Sequence, residues 1–400
     1  MTSKRAYMDH NATTPLRPEA HMAVVEALNV LGNPSSVHAE GRAARALIEN
    51  ARRNVAALIN AKPSEVIFTS GGTEAAAMAI HTAQEALAVK RLLVSAIEHD
   101  AVLSAAEASG LPVSLVPVDG DGRADLAALK GMLAAGDTPA LVALMLANNE
   151  TGVLQPVAEA AAMAHETGAF LLCDAVQAAG KVPVDFAALG ADMMILGGHK
   201  LGAPMGAGAL AVREGTAFAA RSVGGGQEMR RRAGSENVIG IAGFGAAARA
   251  ARETLQDFTR LAALRDRLEV RIAEVAPDAV FFGAGAERLP NTSYLSAPGL
   301  DAETLLMALD LNGIAVSAGA ACSSGKIGRP RILDAMAVPE ALSCGAIRVS
   351  LGWTSVAADV DRFVESWSQA RNRARAKAEK TNTSMPVGVA SDTPLAAVES

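Results

Sequence analysis

Two kinds of hydrophobic pattern alternate along the central part of the chain. Short apolar runs, typical of strands buried on both faces of a sheet, recur from residue 66 onward, and alanine-rich segments with helical spacing separate them. The strands are predicted at 66–69, 92–96, 113–118, 141–147, 170–173, 193–196 and 206–212, and the helices between them at 75–88, 101–109, 124–135 and 156–167. This alternation predicts an α/β fold with a mainly parallel seven-stranded sheet covered on both faces.

The pattern changes in the last third of the chain. After helices predicted at 238–254 and 258–275, short strands and helices follow without regular alternation, which predicts a smaller C-terminal α+β domain. The predicted parts are an N-terminal segment that packs with the small domain (1–15), a large domain (16–255), the small domain (256–378), which carries the loop with Cys322, and a disordered tail (379–400).

Composition narrows the class of protein. Of the 400 residues, 50% are hydrophobic, 3% are aromatic, and the net charge is −6, which argues against a nucleic-acid surface. No apolar run reaches membrane-spanning length, and the N-terminus lacks the apolar core of a secretory signal. Three scattered cysteines argue against a disulfide framework, so we expect a cytoplasmic protein.

Polar side chains follow several predicted strands, and ligands of open α/β sheets bind at the carboxyl ends of the strands. Lys200 follows Gly197-Gly198 and His199. Its amine has the chemistry to form a Schiff base, although most lysines are solvated surface residues. His99 follows another strand, where an imidazole stacks on a flat ligand, moves protons or only borders the core.

Three more strand ends carry candidate ligand groups. Asp174 is placed to pair with a protonated ring nitrogen or to cap a helix, Gln177 follows it, and Asn149 belongs to a ligand loop or an ordinary turn. The segment at 70–73 reads Ser-Gly-Gly-Thr before a helix, where backbone N–H groups bind phosphate or form a normal N-cap. Together with a Schiff-base lysine, these groups match the binding needs of pyridoxal 5′-phosphate.

The C-terminal part contributes two further candidates. Cys322 lies among small residues at 317–326, which predicts an accessible nucleophilic thiol. Cys173 and Cys344 lie in apolar stretches and are expected to be inert. Arg348 is a charge within the apolar strand predicted at 346–351, so it binds a substrate carboxylate or forms a structural ion pair.

The order and spacing of these motifs are similar to those of a known family. The chain resembles the cysteine desulfurases, the NifS-like and IscS-like members of the class V aminotransferase group of pyridoxal-phosphate enzymes. The resemblance extends from residue 7 to about residue 375 and is carried by the motifs at 7–15, 32–38, 68–74, 98–99, 148–152, 174–177, 198–200, 232–237 and 321–325. It implies the type I fold of pyridoxal-phosphate-dependent transferases.

The resemblance also implies roles for individual residues. Lys200 holds the cofactor covalently and moves protons, His99 stacks on the ring and assists proton transfer, and Asp174 keeps the pyridine nitrogen protonated. The remaining implied contacts are Gly72, Thr73 and His199 with the phosphate, Gln177 and Asn149 with the hydroxyl side of the ring and the substrate, Ser235 with the phosphate of a second subunit, and Asn33 and Arg348 with the substrate carboxylate. No metal ligand is predicted.

The activity implied by the resemblance is removal of sulfur from L-cysteine in a homodimer. L-Alanine leaves, and a persulfide on Cys322 passes sulfur to an iron–sulfur scaffold or another acceptor protein. Selenocysteine lysis or aminotransfer on the same fold, and a non-catalytic binding protein, are the alternatives. The joint presence of Lys200, Asp174, His99 and Cys322 argues against the last of these. The acceptor, and any binding of a cluster iron by Cys322, are left open.

One position departs from the family pattern. The family commonly has serine two residues before the histidine of the lysine motif, where this chain has Gly197. Loss of one charge-assisted hydrogen bond to the phosphate costs about 1.5–3 kcal/mol. We therefore expect weaker cofactor retention and an unchanged reaction.

Overall fold

A seven-stranded sheet forms the centre of the larger part of the molecule. The computed structural model describes residues 5–319 and 329–383, with side chains up to residue 376. Its strands are β1 (Ala6–Tyr7), β2 (Val66–Thr69), β3 (Arg91–Ser95), β4 (Val113–Val116), β5 (Ala140–Ala143), β6 (Phe170–Asp174), β7 (Met193–Gly197), β8 (Gly208–Val212), β9 (Val280–Phe281), β10 (Thr292–Ser296), β11 (Ile314–Ala315), β12 (Ser317–Ala318) and β13 (Ile347–Ser350). The large sheet has the order β2-β8-β7-β6-β5-β3-β4.

Strand direction in this sheet brings the predicted ligand loops to one edge. β4, β3, β5, β6 and β7 are mutually parallel, and β8 is antiparallel to both of its neighbours, β7 and β2. The connection at 198–207 is too short for the crossover helix that a parallel return would need, so β8 runs back beside β7. β2 therefore points the same way as β7, and the predicted mainly parallel α/β sheet is confirmed.

Helices cover both faces of the sheet, as the apolar strands predict. In chain order they are α1 (Pro18–Leu28), α2 (Ala39–Leu58), α3 (Gly72–Glu85), α4 (Asp100–Ala108), α5 (Leu126–Ala134), α6 (Val157–Glu166), α7 (Phe186–Leu189), α8 (Val238–Glu253), α9 (Phe258–Val275), α10 (Ala302–Leu311), α11 (Arg331–Ala335), α12 (Glu340–Ser343) and α13 (Ala357–Thr383). Leu171 and Leu172 show the arrangement, since these neighbours in β6 are both fully buried in separate cores on opposite faces.

A second, antiparallel sheet organises the C-terminal part of the chain. Its strand order is β12-β13-β10-β9, and β1 pairs in parallel with β11 beside it. Ala6 and Met8 are consequently buried in the same apolar core as Phe363 and Trp367. The N-terminal segment thus packs against the C-terminal part, while the three boundaries between the predicted parts stay a prediction.

The last helix is longer than the sequence pattern indicated. α13 continues to Thr383, so the expectation of a disordered tail from residue 379 is wrong for its first residues. The segment at 377–380 reads Lys-Ala-Glu-Lys, and all of these residue types are strong helix formers. Residues 384–400 lie outside the described part of the chain. Among the residues described, no helix is long and apolar enough to cross a membrane.

Candidate active site

A cavity of about 330 Å³ opens where the strand ends of the large sheet meet the C-terminal part of the chain. We call the wall formed by residues after β2, β3, β5, β6 and β7 the sheet side; it includes Gly72, Thr73, His99, Asn149, Asp174, Val176, Gln177, Gly197, His199 and Lys200. We call the wall formed by the N-terminal segment and the C-terminal part the opposite side; it includes Asn11, Ala12, Ser317, Gly319 and Arg348.

Lys200 joins the two sides of the cavity. It ends a short 3₁₀ turn, Gly198–Lys200, which follows β7 directly. Its Nζ donates hydrogen bonds to the backbone oxygens of Asn11 (2.6 Å) and Ala12 (2.7 Å). Because both acceptors are backbone atoms of one turn, the amine of Lys200 is held at a defined point of the cavity wall.

Asp174 is a partly buried carboxyl group at the end of β6. Burial raises its pKa, and the hydrogen bond that Val176 N donates to its Oδ1 (2.9 Å) acts in the opposite direction, as do His99 and Lys200. The neighbouring carboxyl of Glu98 is also buried, and burial followed by the charge of Asp174 raises the pKa of Glu98 well above its ordinary range. A cation held against Asp174, such as a protonated pyridine nitrogen, would favour its ionised form.

The two histidines of the sheet side differ in their surroundings. His99 precedes α4, and its Nδ1 accepts a hydrogen bond from Ala101 N (3.1 Å), so the neutral imidazole carries its proton on Nε2. Its ring is exposed to the cavity. His199 is more enclosed, and burial, followed by Lys200 and His99, lowers its pKa to about 4. His199 is therefore a neutral hydrogen-bonding group near pH 7.

The start of α3 offers backbone donors to an anion. Gly72 and Thr73 form its first turn, and no described side chain caps this helix start. The first N–H groups of a helix have no intrahelical acceptor, and the helix dipole favours negative charge at this end. These two residues line the cavity with their donors uncommitted to a side-chain cap, as a phosphate site requires.

Arg348 lies on the opposite side and already has protein partners. Its guanidinium donates hydrogen bonds to Asp9 Oδ1 (2.8 Å) and to the backbone oxygen of Asn149 (3.0 Å). The structural ion pair left open by the sequence is therefore present. Arg348 Nε is buried without a hydrogen-bond partner among the described residues, and the side chain lines the cavity. The contact with Asp9 therefore supports a structural role for Arg348, and its position in the cavity wall supports binding of a substrate carboxylate.

Two predicted residues do not line this cavity, and a third is not among the described residues. Asn33 Oδ1 accepts a hydrogen bond from Ser35 N (2.9 Å) within its own turn, and Asn33 does not line the cavity. Ser235 lines a separate hollow of about 180 Å³ beside Ser70. Cys322 lies outside the described residues.

The two other cysteines differ from each other. Cys173 is fully buried, and burial raises the pKa of its thiol well above the ordinary value. Cys344 is exposed, so the expectation of an apolar setting for it is wrong. It follows α12 directly, and its chain neighbours Ser343 and Gly345 are buried while Cys344 itself is exposed.

Comparison with known proteins identifies the family. The family model "Aminotransferase class-V" matches residues 6–363. The chain belongs to the class-V aminotransferase family. It is 45% identical to a cysteine desulfurase of Cereibacter sphaeroides over 90% of this chain and 94% of that protein. It is 40% identical to an IscS-like cysteine desulfurase of Mycobacterium tuberculosis, covering 92% and 97% of the two chains.

Solved structures give the same relationship. A NifS-like protein from Rickettsia africae superposes with a TM-score of 0.84 at 32% identity, covering 92% of this chain and 99% of that one. This agreement confirms the type I fold of pyridoxal-phosphate-dependent transferases. As a class-V aminotransferase, the chain is a pyridoxal-phosphate enzyme.

The cavity of this class-V aminotransferase suits that cofactor. One space is lined by an amine (Lys200), a partly buried carboxyl (Asp174), an amide (Gln177) and an uncapped helix start. Lys200 would hold the aldehyde carbon, Asp174 the ring nitrogen, and the first turn of α3 the phosphate. The residues present therefore fit the cofactor.

Several residues of the site were not found from the sequence. The stretch at 9–15 was interpreted only as a turn, yet Asn11 and Ala12 hold Lys200. Lys181 lies four residues after Gln177 and hydrogen-bonds to it (2.7 Å), and that spacing was the available signal. Glu150 is a third case, because burial raises its pKa to about 7. It belongs to the motif at 148–152, but that motif did not indicate its raised pKa.

Proposed function

We propose that this chain is a cysteine desulfurase that transfers sulfur from L-cysteine to its own Cys322 and releases L-alanine. The observation that carries the proposal is the convergence of Lys200, His99 and Asp174 in one cavity that Gly319, three residues before Cys322 in the sequence, also lines. Three residues of extended chain span at most about 11 Å, which is the largest separation that the sequence allows between Gly319 and Cys322. The relatives named above are themselves cysteine desulfurases.

The protein's own groups would prepare the substrate for this reaction. When bound, pyridoxal phosphate supplies an electron sink for negative charge at the substrate Cα. Lys200 Nζ takes the Cα proton and later returns it, a task suited to an amine that two carbonyls fix in place. Asp174 holds the ring nitrogen in its protonated form. Arg348 would attract the substrate carboxylate from the opposite side.

Sulfur transfer is assigned to Cys322. Its thiolate attacks the sulfur of L-cysteine, so that an S–S bond forms while the Cβ–S bond breaks. The electron pair of the broken bond stays with the three-carbon product, which takes up a proton and leaves as alanine. The persulfide then passes sulfur to an iron–sulfur scaffold or another thiol-containing acceptor protein.

A homodimer is part of this proposal. Exposed apolar side chains occur at Leu31 (82% exposed) and Val37 (88%), and again at Val223 (86%) in the segment that leads to Ser235. The two segments adjoin, because Pro34 and Met229 line one hollow. Contiguous exposed apolar surface typically marks a protein interface. This surface supports the expectation that Ser235 reaches the phosphate site of a second subunit.

The decisive experiment compares two cysteine variants of the holoenzyme. Cys322→Ala should abolish sulfide and alanine formation from L-cysteine in the presence of a thiol reductant, while the visible absorbance of the cofactor is retained. Cys344→Ala is the matched control, because it removes an exposed thiol elsewhere and should leave the rate unchanged. Full sulfide release by Cys322→Ala would refute the scheme. If Cys344→Ala lost activity instead, the scheme would have assigned sulfur transfer to the wrong cysteine.

A further inference from the structure

The buried amine of Lys181 lies behind the cavity wall and has no part in the reaction described above. Lys181 is 5% exposed, and its Nζ donates hydrogen bonds to Gln177 Oε1 (2.7 Å) and Asn11 Oδ1 (2.7 Å). Burial, followed by the charges of Lys200 and Arg348, lowers the pKa of Lys181 well below its ordinary value. Burying a lysine is costly, so its contacts with two cavity residues call for an explanation.

The first contact fixes the orientation of the Gln177 amide. Gln177 Nε2 donates a hydrogen bond to the backbone oxygen of Asn11 (2.9 Å), and that oxygen can only accept. The amide oxygen is thereby turned to Lys181, which donates to it. Because the amide oxygen is turned to Lys181 and one N–H is bound to Asn11, the group that Gln177 can present to the cavity is its second N–H. Without Lys181, the amide oxygen would lose its donor and the flipped orientation would become accessible.

The second contact fixes the residue that holds Lys200. Asn11 Oδ1 accepts from Lys181 and from Asn291 Nδ2 (3.1 Å), and Asn11 Nδ2 donates to Thr292 Oγ1 (2.9 Å). The backbone oxygen of this same Asn11 accepts from Lys200 Nζ and from Gln177 Nε2. Asn11 therefore connects the three residues: its side chain binds Lys181, and its backbone oxygen binds Lys200 and Gln177.

From this network we propose that Lys181 is a positioning residue. It fixes the amide of Gln177 in the orientation that donates a hydrogen bond to the ring oxygen of the cofactor. This inference rests on the proposed function for the chemistry in the cavity. A donor to the ring oxygen stabilises its anionic form and weakens its hold on the proton that it shares with Lys200 Nζ. Lys181 thus lowers the pH at which Lys200 Nζ loses that proton.

The test is a pH titration of the visible absorbance of the holoenzyme, without substrate. Lys181→Met keeps the length of the side chain and removes its donors. It should raise the spectral midpoint by about one pH unit, the size expected for one lost hydrogen bond to a charged group. Gln177→Leu should raise it similarly. The double variant should shift no further than the larger single variant, because both act through the same N–H.

Each departure from this pattern has a definite meaning. An unchanged midpoint in Lys181→Met would overturn the proposal and leave Lys181 a purely structural residue. Additive shifts in the double variant would also overturn it, because a direct charge effect on Lys200 would persist without Gln177. If Lys181→Met does not fold, Gln177→Leu still tests the route, and an unchanged midpoint in that variant refutes it.

A matched control separates positioning from general loss of stability. Arg371 is a buried cation (4% exposed) that pairs with Asp278 in the C-terminal part. Arg371→Met should lower the melting temperature and leave the spectral midpoint in place, whereas Lys181→Met should change both. Because the titration contains no cysteine, its result is independent of desulfuration. A normal spectral response without alanine from L-cysteine would refute the proposed function alone.

Discussion

The sheet side and the opposite side of the cavity are built in different ways. Each residue of the sheet side follows its strand closely, as Lys200 follows β7 and His99 follows β3, and their meeting is a consequence of strands that point the same way. The opposite side is assembled by contacts across the chain, such as Arg348 with Asp9 and Asn11 with Thr292. The sheet side carries reactive groups, and the opposite side holds them in position.

The largest expected effect comes from removing the reactive amine of the sheet side. Lys200→Ala should reduce alanine formation from L-cysteine by more than about a thousandfold, because proton transfer at Cα loses its base. The absorbance of the protein-linked cofactor should disappear as well. Lys130→Ala, on the exposed surface of α5, is the control and should keep both properties. Retained activity in Lys200→Ala would show that another residue removes the Cα proton.

The contact between the two sides should be detectable in the pH dependence of stability. Glu150 lies against Gly319 and Tyr294, and burial raises its pKa from 4.5 to about 7. The folded protein therefore binds a proton that the unfolded chain releases above pH 4.5. The resulting stabilisation, about 3 kcal/mol, is complete below pH 4.5 and is lost as the pH rises through 7.

Glu150→Gln removes this titration and keeps the shape of the side chain. The free energy of unfolding should then decline less between pH 5 and pH 8 than in the parent protein, measured by urea denaturation of the holoenzyme. His10 and His199, whose pKa values are lowered to about 3 and about 4, act with the opposite sign below pH 6.5. They are present in both proteins, so the difference between the two curves isolates Glu150. If the free energy of unfolding declined equally with pH in both proteins, the stability change would not come from Glu150.

Arg348 tests whether the opposite side also binds substrate. Arg348→Gln should raise KM for L-cysteine roughly tenfold to a hundredfold, with a smaller change in kcat, if the guanidinium holds the substrate carboxylate. Asp9→Asn removes its ion-pair partner and keeps the guanidinium, so KM should change little while the melting temperature falls. Equal losses of stability in both variants with KM unchanged would make Arg348 purely structural.

The smallest expected effect concerns Gly197 on the sheet side. A Cβ at Gly197 would lie 3.1 Å from Val176 Cγ1, which is tighter than ordinary contact. Gly197→Ser alone should therefore gain less cofactor affinity than the added hydroxyl offers. Gly197→Ser with Val176→Ala should bind the cofactor more tightly than Val176→Ala alone, measured by equilibrium titration of the apoprotein. Equal cofactor affinities in those two variants would contradict the expectation that Gly197 weakens cofactor retention.

The sequence by itself determined the sheet and the residues at its edge. Apolar runs such as 193–196 have to be buried on both faces, and the polar residue after each run is then delivered to the ligand edge. Lys200, Asp174 and His99 could be located this way because they are close in the chain to the strands that position them. Element ends were less certain, as α13 shows, because favourable helix formers extend beyond the apolar pattern.

Only the tertiary structure decided the opposite side and the second layer of contacts. The oxygen that holds Lys200 belongs to Asn11, and the contacts of that residue with Lys181 and Asn291 join positions that are 170 and 280 residues apart in the chain. Hydrophobic periodicity reports which face of an element is buried, and it contains no information on which distant backbone atom will accept a hydrogen bond. The same reason separates Arg348, recognised as a buried charge, from Asp9, the partner that the sequence did not reveal.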